Sequence, residues 1–140
     1  MAIFGKAIGN GYALTAVIGK REVMEHAQSS FISSTFWTER IGPAAALKTI
    51  EVMEKEESWK VITELGKKIK KRWEEIFSFY EIKSDIWGIS ALPGFTLGDK
   101  FSLEYKTLIT QEMLKEGFLA GNSIYVCTQH TEKILDKYFD

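Results

Sequence analysis

Phe4-Gly5-Lys6-Ala7-Ile8-Gly9-Asn10-Gly11 sets one lysine amine among small residues, directly behind the apolar run Met1-Ala2-Ile3. Glycine tolerates positive φ and lets backbone approach a bound molecule closely, and asparagine is one of the few other residues at home in the left-handed region. The stretch therefore reads as a place where an amine meets a flat ligand. A lysine beside glycines is most often a solvated loop residue, so the segments on either side decide between the two readings.

Outward from there, residues 13–18 (Ala-Leu-Thr-Ala-Val-Ile) lie between glycines and suit a strand in a sheet covered on both faces. Residues 21–27 read as a helical turn, and the polar cluster Gln28-Ser29-Ser30 hands over to an extended segment, Phe31-Ile32-Ser33-Ser34-Thr35. After Phe36-Trp37-Thr38-Glu39-Arg40 the pattern turns helical from Gly42. Leu47, Ile50 and Met53 recur at three-residue spacing behind three alanines, and the acidic stretch 54–57 closes that helix.

Ser58 offers an N-cap for a second helix, along which Trp59, Ile62, Leu65, Ile69, Trp73 and Ile76 recur every three or four residues. Lys60, Lys67, Lys68, Lys70 and Lys71 fill the other positions, so the lysines make a solvated face and the tryptophans a core stripe. Beyond Tyr80, residues 86–92 and 101–105 are short apolar or alternating runs read as strands, with turns at Pro93-Gly94 and Gly98-Asp99. Residues 107–116 predict a helix closed by Gly117, residues 123–127 another strand, and Thr131 the cap of a last helix with the stripe Ile134, Leu135, Tyr138 and Phe139. The one boundary lies near Glu57. Pattern alone gives a single mixed α/β domain with a strand-rich tail.

The chain has 140 residues, 45% hydrophobic and 26% charged, enough to bury a core. Eighteen basic residues against nineteen acidic ones provide no field to draw in nucleic acid or an anionic membrane. Cys127 is the sole cysteine, makes no internal disulfide, and sits in an apolar run that reads as a buried structural thiol in a reducing cytoplasm. Nothing near Met1 has the layout of a signal peptide, and no apolar run approaches the roughly 20 residues that span a bilayer, so a soluble chain is expected. His26 and His130, isolated from each other, make no metal site; His26 reads as a surface residue and His130 as a structural polar group.

The order of these elements resembles the second half of the class III aminotransferases, the pyridoxal-phosphate enzymes that include the glutamate-1-semialdehyde aminomutases. Their lysine motif runs as an apolar strand, a small residue, the lysine, three residues, then a small residue and glycine. Met1-Ala2-Ile3-Phe4-Gly5-Lys6, Ala7-Ile8-Gly9 and Asn10-Gly11 meet it in order. The resemblance implies the carboxyl-terminal part of a fold-type I, α/β enzyme. Residues 1–57 are then the end of the large cofactor domain with its connecting helix, and residues 58–140 the small α+β domain. In the family an aspartate stands just before the residue matching Met1, and the groups that orient the cofactor ring lie upstream. The chain is therefore expected to be a piece with both ends cut, inactive alone.

For the site, the resemblance implies that Lys6 bonds the aldehyde of pyridoxal 5'-phosphate as a Schiff base and carries the proton to and from the substrate α-carbon. A lysine does this as the free amine, which burial or a nearby cation must favour. Thr35 matches the threonine that reaches the phosphate of the neighbouring subunit, with Ser34 as a helper, so a homodimer with shared sites is implied. Family members commonly continue with Ser-Gly-Asn-Pro, where this chain has Trp37-Thr38-Glu39-Arg40. Arg40 suits a bidentate bond to a substrate carboxylate, and a local ion pair with Glu39 accounts for it equally simply. The expected reaction moves an amino group between a small amine donor and a carbonyl acceptor. The alternatives are intramolecular transfer of the aminomutase kind and a non-catalytic association module.

Overall fold

The computed structural model describes residues 1–98 and 100–140; Asp99, half of the predicted Gly98-Asp99 turn, lies outside them. The chain divides into two units, Met1–Glu56 and Glu57–Asp140.

In the first unit β1 (Ala2–Phe4) pairs antiparallel with β2 (Ala16–Ile18), Ala2 opposite Ile18 and Phe4 opposite Ala16. The strand expected over residues 13–18 is thus shorter, and Val17 and Ile18 are exposed rather than covered. Helix α1 (Arg21–Met24) runs on into a 3-10 turn, Glu25–Ser29. There the Ser29 and Ser30 hydroxyls donate to the His26 carbonyl at 3.1 and 2.9 Å, the local bonding that makes serine end a helix. Residues 31–34, expected as an extended segment, belong to no strand, and Phe31 is 96% exposed. A turn follows, then α2 (Ile41–Glu56).

The second unit begins with α3 (Ser58–Phe79). A capping serine needs extended backbone. Here Glu57, left-handed at φ 47°, takes the cap position, so Ser58 enters the helix, and its buried hydroxyl finds no partner among the described residues. Leu65, Ile69, Trp73 and Phe77 fall four residues apart on one face and bury against Phe95, Val126 and Leu135. Trp59, counted into that stripe from its spacing, is 49% exposed. Each fully buried large side chain contributes about 1.5–3 kcal/mol. Phe95 also meets Trp73 and Phe77 edge-on, both at 5.0 Å between ring centroids, a geometry worth about 1 kcal/mol more per pair. The opposite face carries exposed pairs such as Lys67–Glu64 and Lys71–Glu75, which contribute little.

Strands β3 (Ser84–Ile89) and β4 (Leu92–Leu97) form an antiparallel hairpin, Ser84 opposite Leu97 and Ile89 opposite Leu92. The turn is at Ser90-Ala91, and Pro93-Gly94, expected to make it, lies inside β4. The reason is packing: the Trp87 indole lies over Gly94, where an added Cβ would fall 2.4 Å from the ring, and its N–H donates to the Thr96 hydroxyl at 2.9 Å. Residues 122–126 run along the other edge of β4. The Phe95 N–H donates to the Asn122 carbonyl (2.9 Å), Ile124 to Pro93 (3.0 Å) and Val126 to Ala91 (3.0 Å). The strand expected over residues 123–127 is therefore extended backbone with one bridge, Gly94 to Ser123.

Residues 101–105, expected as a strand, open helix α4 (Ser102–Lys115). Phe101, Tyr105 and Ile109 are spaced by four, and so short an apolar run fits both periods. Gly117, at φ 85°, closes α4: the Gly117 N–H reaches the Leu114 carbonyl (3.0 Å) and the Phe118 N–H the Met113 carbonyl (2.8 Å). Thr131 caps α5 (Glu132–Phe139) by accepting from the Ile134 N–H at 3.4 Å. Cys127 is exposed, contrary to the buried thiol expected. The tail is thus a hairpin and one extended segment packed on helices rather than a run of strands.

Two outcomes follow from this packing. A Cβ on Gly66 of α3 would lie 1.8 Å from the Ser90 carbonyl oxygen, so Gly66→Ala should cost about 3 kcal/mol, read as a lowered urea midpoint. Burial pushes the Tyr138 hydroxyl above its usual range, partly offset by a hydrogen bond with Trp73. A proton held more tightly in the folded state means stability is intact below about pH 10 and falls as pH rises past it. Tyr138→Phe should flatten that fall in thermal melts taken from about pH 9 to 11.

Candidate active site

Lys6 opens the 3-10 turn Lys6–Ile8 at φ 51°, and Asn10 (φ 44°) and Gly11 (φ 102°) are left-handed as well. A non-glycine residue in that region costs of order 1 kcal/mol, so the turn imposes it. Four backbone bonds do so: the Ile8 N–H donates to the Gly5 carbonyl (3.4 Å), Gly9 to Lys6 (3.1 Å), Asn10 to Ala7 (3.1 Å) and Tyr12 to Gly9 (3.0 Å). Gly9 is buried, and an added Cβ would fall 2.1 Å from the Tyr12 carbonyl oxygen. The Lys6 side chain is exposed, and its amine has no hydrogen bond or ion pair among the described residues.

Ser34 and Thr35 lie where the irregular segment 31–34 enters the next turn, both exposed. In that turn the Trp37 N–H donates to the Ser34 carbonyl (3.4 Å) and the Glu39 N–H to the Phe36 carbonyl (3.1 Å). Glu39 then reaches forward. Its Oε1 accepts from the Ile41 N–H at 2.5 Å and its Oε2 from the Gly42 N–H at 2.9 Å. Pro43 has no N–H, and Ala44 donates to the Arg40 carbonyl at 3.1 Å, so the first turn of α2 is satisfied. With its carboxylate committed there, Glu39 makes no ion pair with Arg40, which is exposed and unpaired among the described residues.

The two turns share a support. A Cβ on Gly42 would lie 2.6 Å from the Ala13 carbonyl oxygen and 3.4 Å from the Leu14 Cβ, and one on Gly9 would lie 3.6 Å from that same Leu14 Cβ. Ala13-Leu14 is thus the ledge between the lysine turn and the start of α2. No hydrogen bond or ion pair joins Lys6 to Ser34, Thr35 or Arg40 among the described residues. Glu39 is the residue whose role sequence reasoning missed. Its signal was an acid just before a Pro-Ala-Ala-Ala helix start, where a negative charge meets the positive end of the helix.

In the second unit a cavity of about 310 Å³ is lined by Phe118, Ile124, His130, Ile134, Leu135 and Tyr138 among others, and contains none of the site residues read from sequence. His130 Nδ1 accepts from the Cys127 N–H at 3.3 Å, a structural bond. Among the described residues no group of three or more histidine, cysteine or acidic side chains could hold a metal ion, and no helix is long and apolar enough to cross a membrane.

With the geometry in place, comparison defines the class. The fold matches the FumI protein of Sphingopyxis sp. MTA144, solved in its pyridoxal-phosphate internal aldimine form, with a TM-score of 0.89 and 18% identity over 98% of this chain and 34% of that one. The profile of the aminotransferase class-III family matches residues 1–135, and the chain belongs to that family. The 3-aminobutyryl-CoA aminotransferase of Cloacimonas acidaminovorans is 33% identical over 96% of this chain and 34% of its own length. A glutamate-1-semialdehyde 2,1-aminomutase from Hyperthermus butylicus is 28% identical over 95% and 35%. The chain thus spans about a third of the length of these relatives.

The contact at Gly9 makes a prediction for the lysine turn. Gly9→Ala should cost about 2 kcal/mol by forcing Tyr12 away. Hydrogen exchange at the Tyr12 amide should then speed up roughly thirtyfold.

Proposed function

We propose that this chain carries the reactive lysine of a pyridoxal-phosphate-dependent aminotransferase that moves an amino group between a small amine donor and a carbonyl acceptor. The observation that carries the reading is Lys6, an unpaired amine held at positive φ on a hydrogen-bonded turn, in a chain of the class III family. The residues present fit the cofactor: a free amine on a fixed turn, and two exposed hydroxyls, Ser34 and Thr35, with no competing partner among the described residues.

Pyridoxal phosphate, when bound, supplies an aldehyde and an electron sink for charge on the substrate α-carbon. The Lys6 amine would hold the group by condensing with its aldehyde, the oxygen leaving as water, and once displaced by the substrate amine would serve as the base that moves the α-proton. Its side chain is exposed within its own unit, so the complete site must desolvate it to favour the free amine. Thr35, helped by Ser34, holds the phosphate, supplied across a homodimer interface with shared sites. Arg40, free of Glu39, offers its fork to a substrate carboxylate. In this reading residues 1–57 end the large cofactor domain and residues 58–140 form the small domain, in a cytoplasmic enzyme. A second reading, intramolecular transfer in a semialdehyde, is favoured by the aminomutases among the relatives. Supplying glutamate-1-semialdehyde without any amino acceptor separates the two.

Borohydride reduction of the cofactor-loaded complete protein, followed by peptide mapping, should place the label on Lys6. Lys6→Ala should abolish that label and lower turnover about a thousandfold or more while the melting temperature is kept. Label confined to other lysines overturns the reading and favours an association module.

A further inference from the structure

The 34–40 turn has few bonds of its own, and beyond the Ala44 N–H on the Arg40 carbonyl one side chain ties it to α2. Its internal bonds are the long Trp37 to Ser34 contact of 3.4 Å and the Glu39 to Phe36 bond of 3.1 Å. Its aromatic residues are not anchors, since Phe36 and Trp37 are 58% and 68% exposed. Glu39 is different: it is half-buried, and its two carboxylate oxygens close on the amides of Ile41 and Gly42. A carboxylate accepting two backbone N–H groups at a helix start combines charge-assisted bonds with the favourable end of the helix dipole. Gly42 in turn is pressed on the Ala13 carbonyl, next to the Leu14 side chain that Gly9 of the lysine turn also meets.

We propose that Glu39 is a positioning residue: by bridging the first two amides of α2 it fixes the turn that carries Thr35 and Arg40 to the same ledge that supports the Lys6 turn. It also keeps Arg40 unpaired, since an exposed arginine beside a free carboxylate would close on it. The inference rests on the roles of Lys6 and Thr35 proposed above and adds a residue that acts through the turn it holds, both of its carboxylate oxygens being engaged by backbone amides.

Glu39→Gln tests it. Glutamine keeps the size but offers one acceptor oxygen, and its NH2 group faces the amide left behind. In the complete protein, the dissociation constant for pyridoxal 5'-phosphate should rise about tenfold, the usual scale of a lost helix cap. The constant for pyridoxal, which lacks the phosphate that Thr35 holds, should stay within about twofold. In the cofactor-free protein, amide exchange at Gly42 should quicken. Glu39→Asp, which keeps the charge on a shorter arm, should fall between the two and serves where the glutamine variant does not fold. Equal weakening of both ligands makes Glu39 merely structural and overturns the proposal, as does no weakening of either. Failure of borohydride to label Lys6 in the unsubstituted protein overturns the underlying reading instead.

Discussion

Each unit is organised around a helix glycine lying against a backbone carbonyl. In the first, Gly42 of α2 meets the Ala13 carbonyl; in the second, Gly66 of α3 meets the Ser90 carbonyl. In both places a methyl group would stand closer to oxygen than any real contact allows, 2.6 and 1.8 Å. The helix therefore approaches its neighbour by a side chain's thickness more than ordinary packing permits. Everything placed relative to those helices inherits the distance: the lysine turn and the Thr35 turn in one unit, and the hairpin with its aromatic centre in the other.

The two units keep their shape by different means. The second has a core, with Phe95 between Trp73 and Phe77 and with Leu65, Ile69, Val126 and Leu135 around it. The first has almost none, Ala46 being its one buried hydrophobic side chain among those described. Its order comes from directional bonds at three left-handed residues, a carboxylate across two amides, and glycines against carbonyls. Such a framework is weaker per residue than a core but places atoms more narrowly, because hydrogen bonds fix angles and apolar burial does not. That division suits the function proposed above, in which Lys6, Ser34, Thr35 and Arg40 all belong to the unit without the core.

What was legible in the sequence was periodic or positional. The four-residue recurrence from Leu65 to Trp73, the Gly117 stop and the Thr131 cap each follow from local chemistry, and each appears in the structure. The lysine flanked by glycines was legible as a motif, and family membership followed from the order of elements around it. What was illegible depended on distant partners. Pro93-Gly94 carries a strong turn signal, yet Trp87 needs a glycine beneath its ring, and tertiary packing overrode the dipeptide. Ser58 looked like a cap because its neighbour's left-handed backbone cannot be read from the letter Glu. Residues 101–105 fit a strand and a helix alike. Glu39 was visible as a charge but not as a clasp, since its two acceptors matter only once α2 exists to offer its amides.

The exposed thiol of Cys127 bears on how any assembly of this protein is judged. It is the chain's single cysteine, and it faces solvent. Between two copies of this chain only one disulfide can form, Cys127 to Cys127, a covalent pair joined through the second unit. Air-aged samples would then run as twofold species on a non-reducing gel whatever the native interface is. A dimer band here is informative only when it survives reductant, and a disulfide-linked pair would join the chains far along the sequence from the turns that carry Lys6 and Thr35.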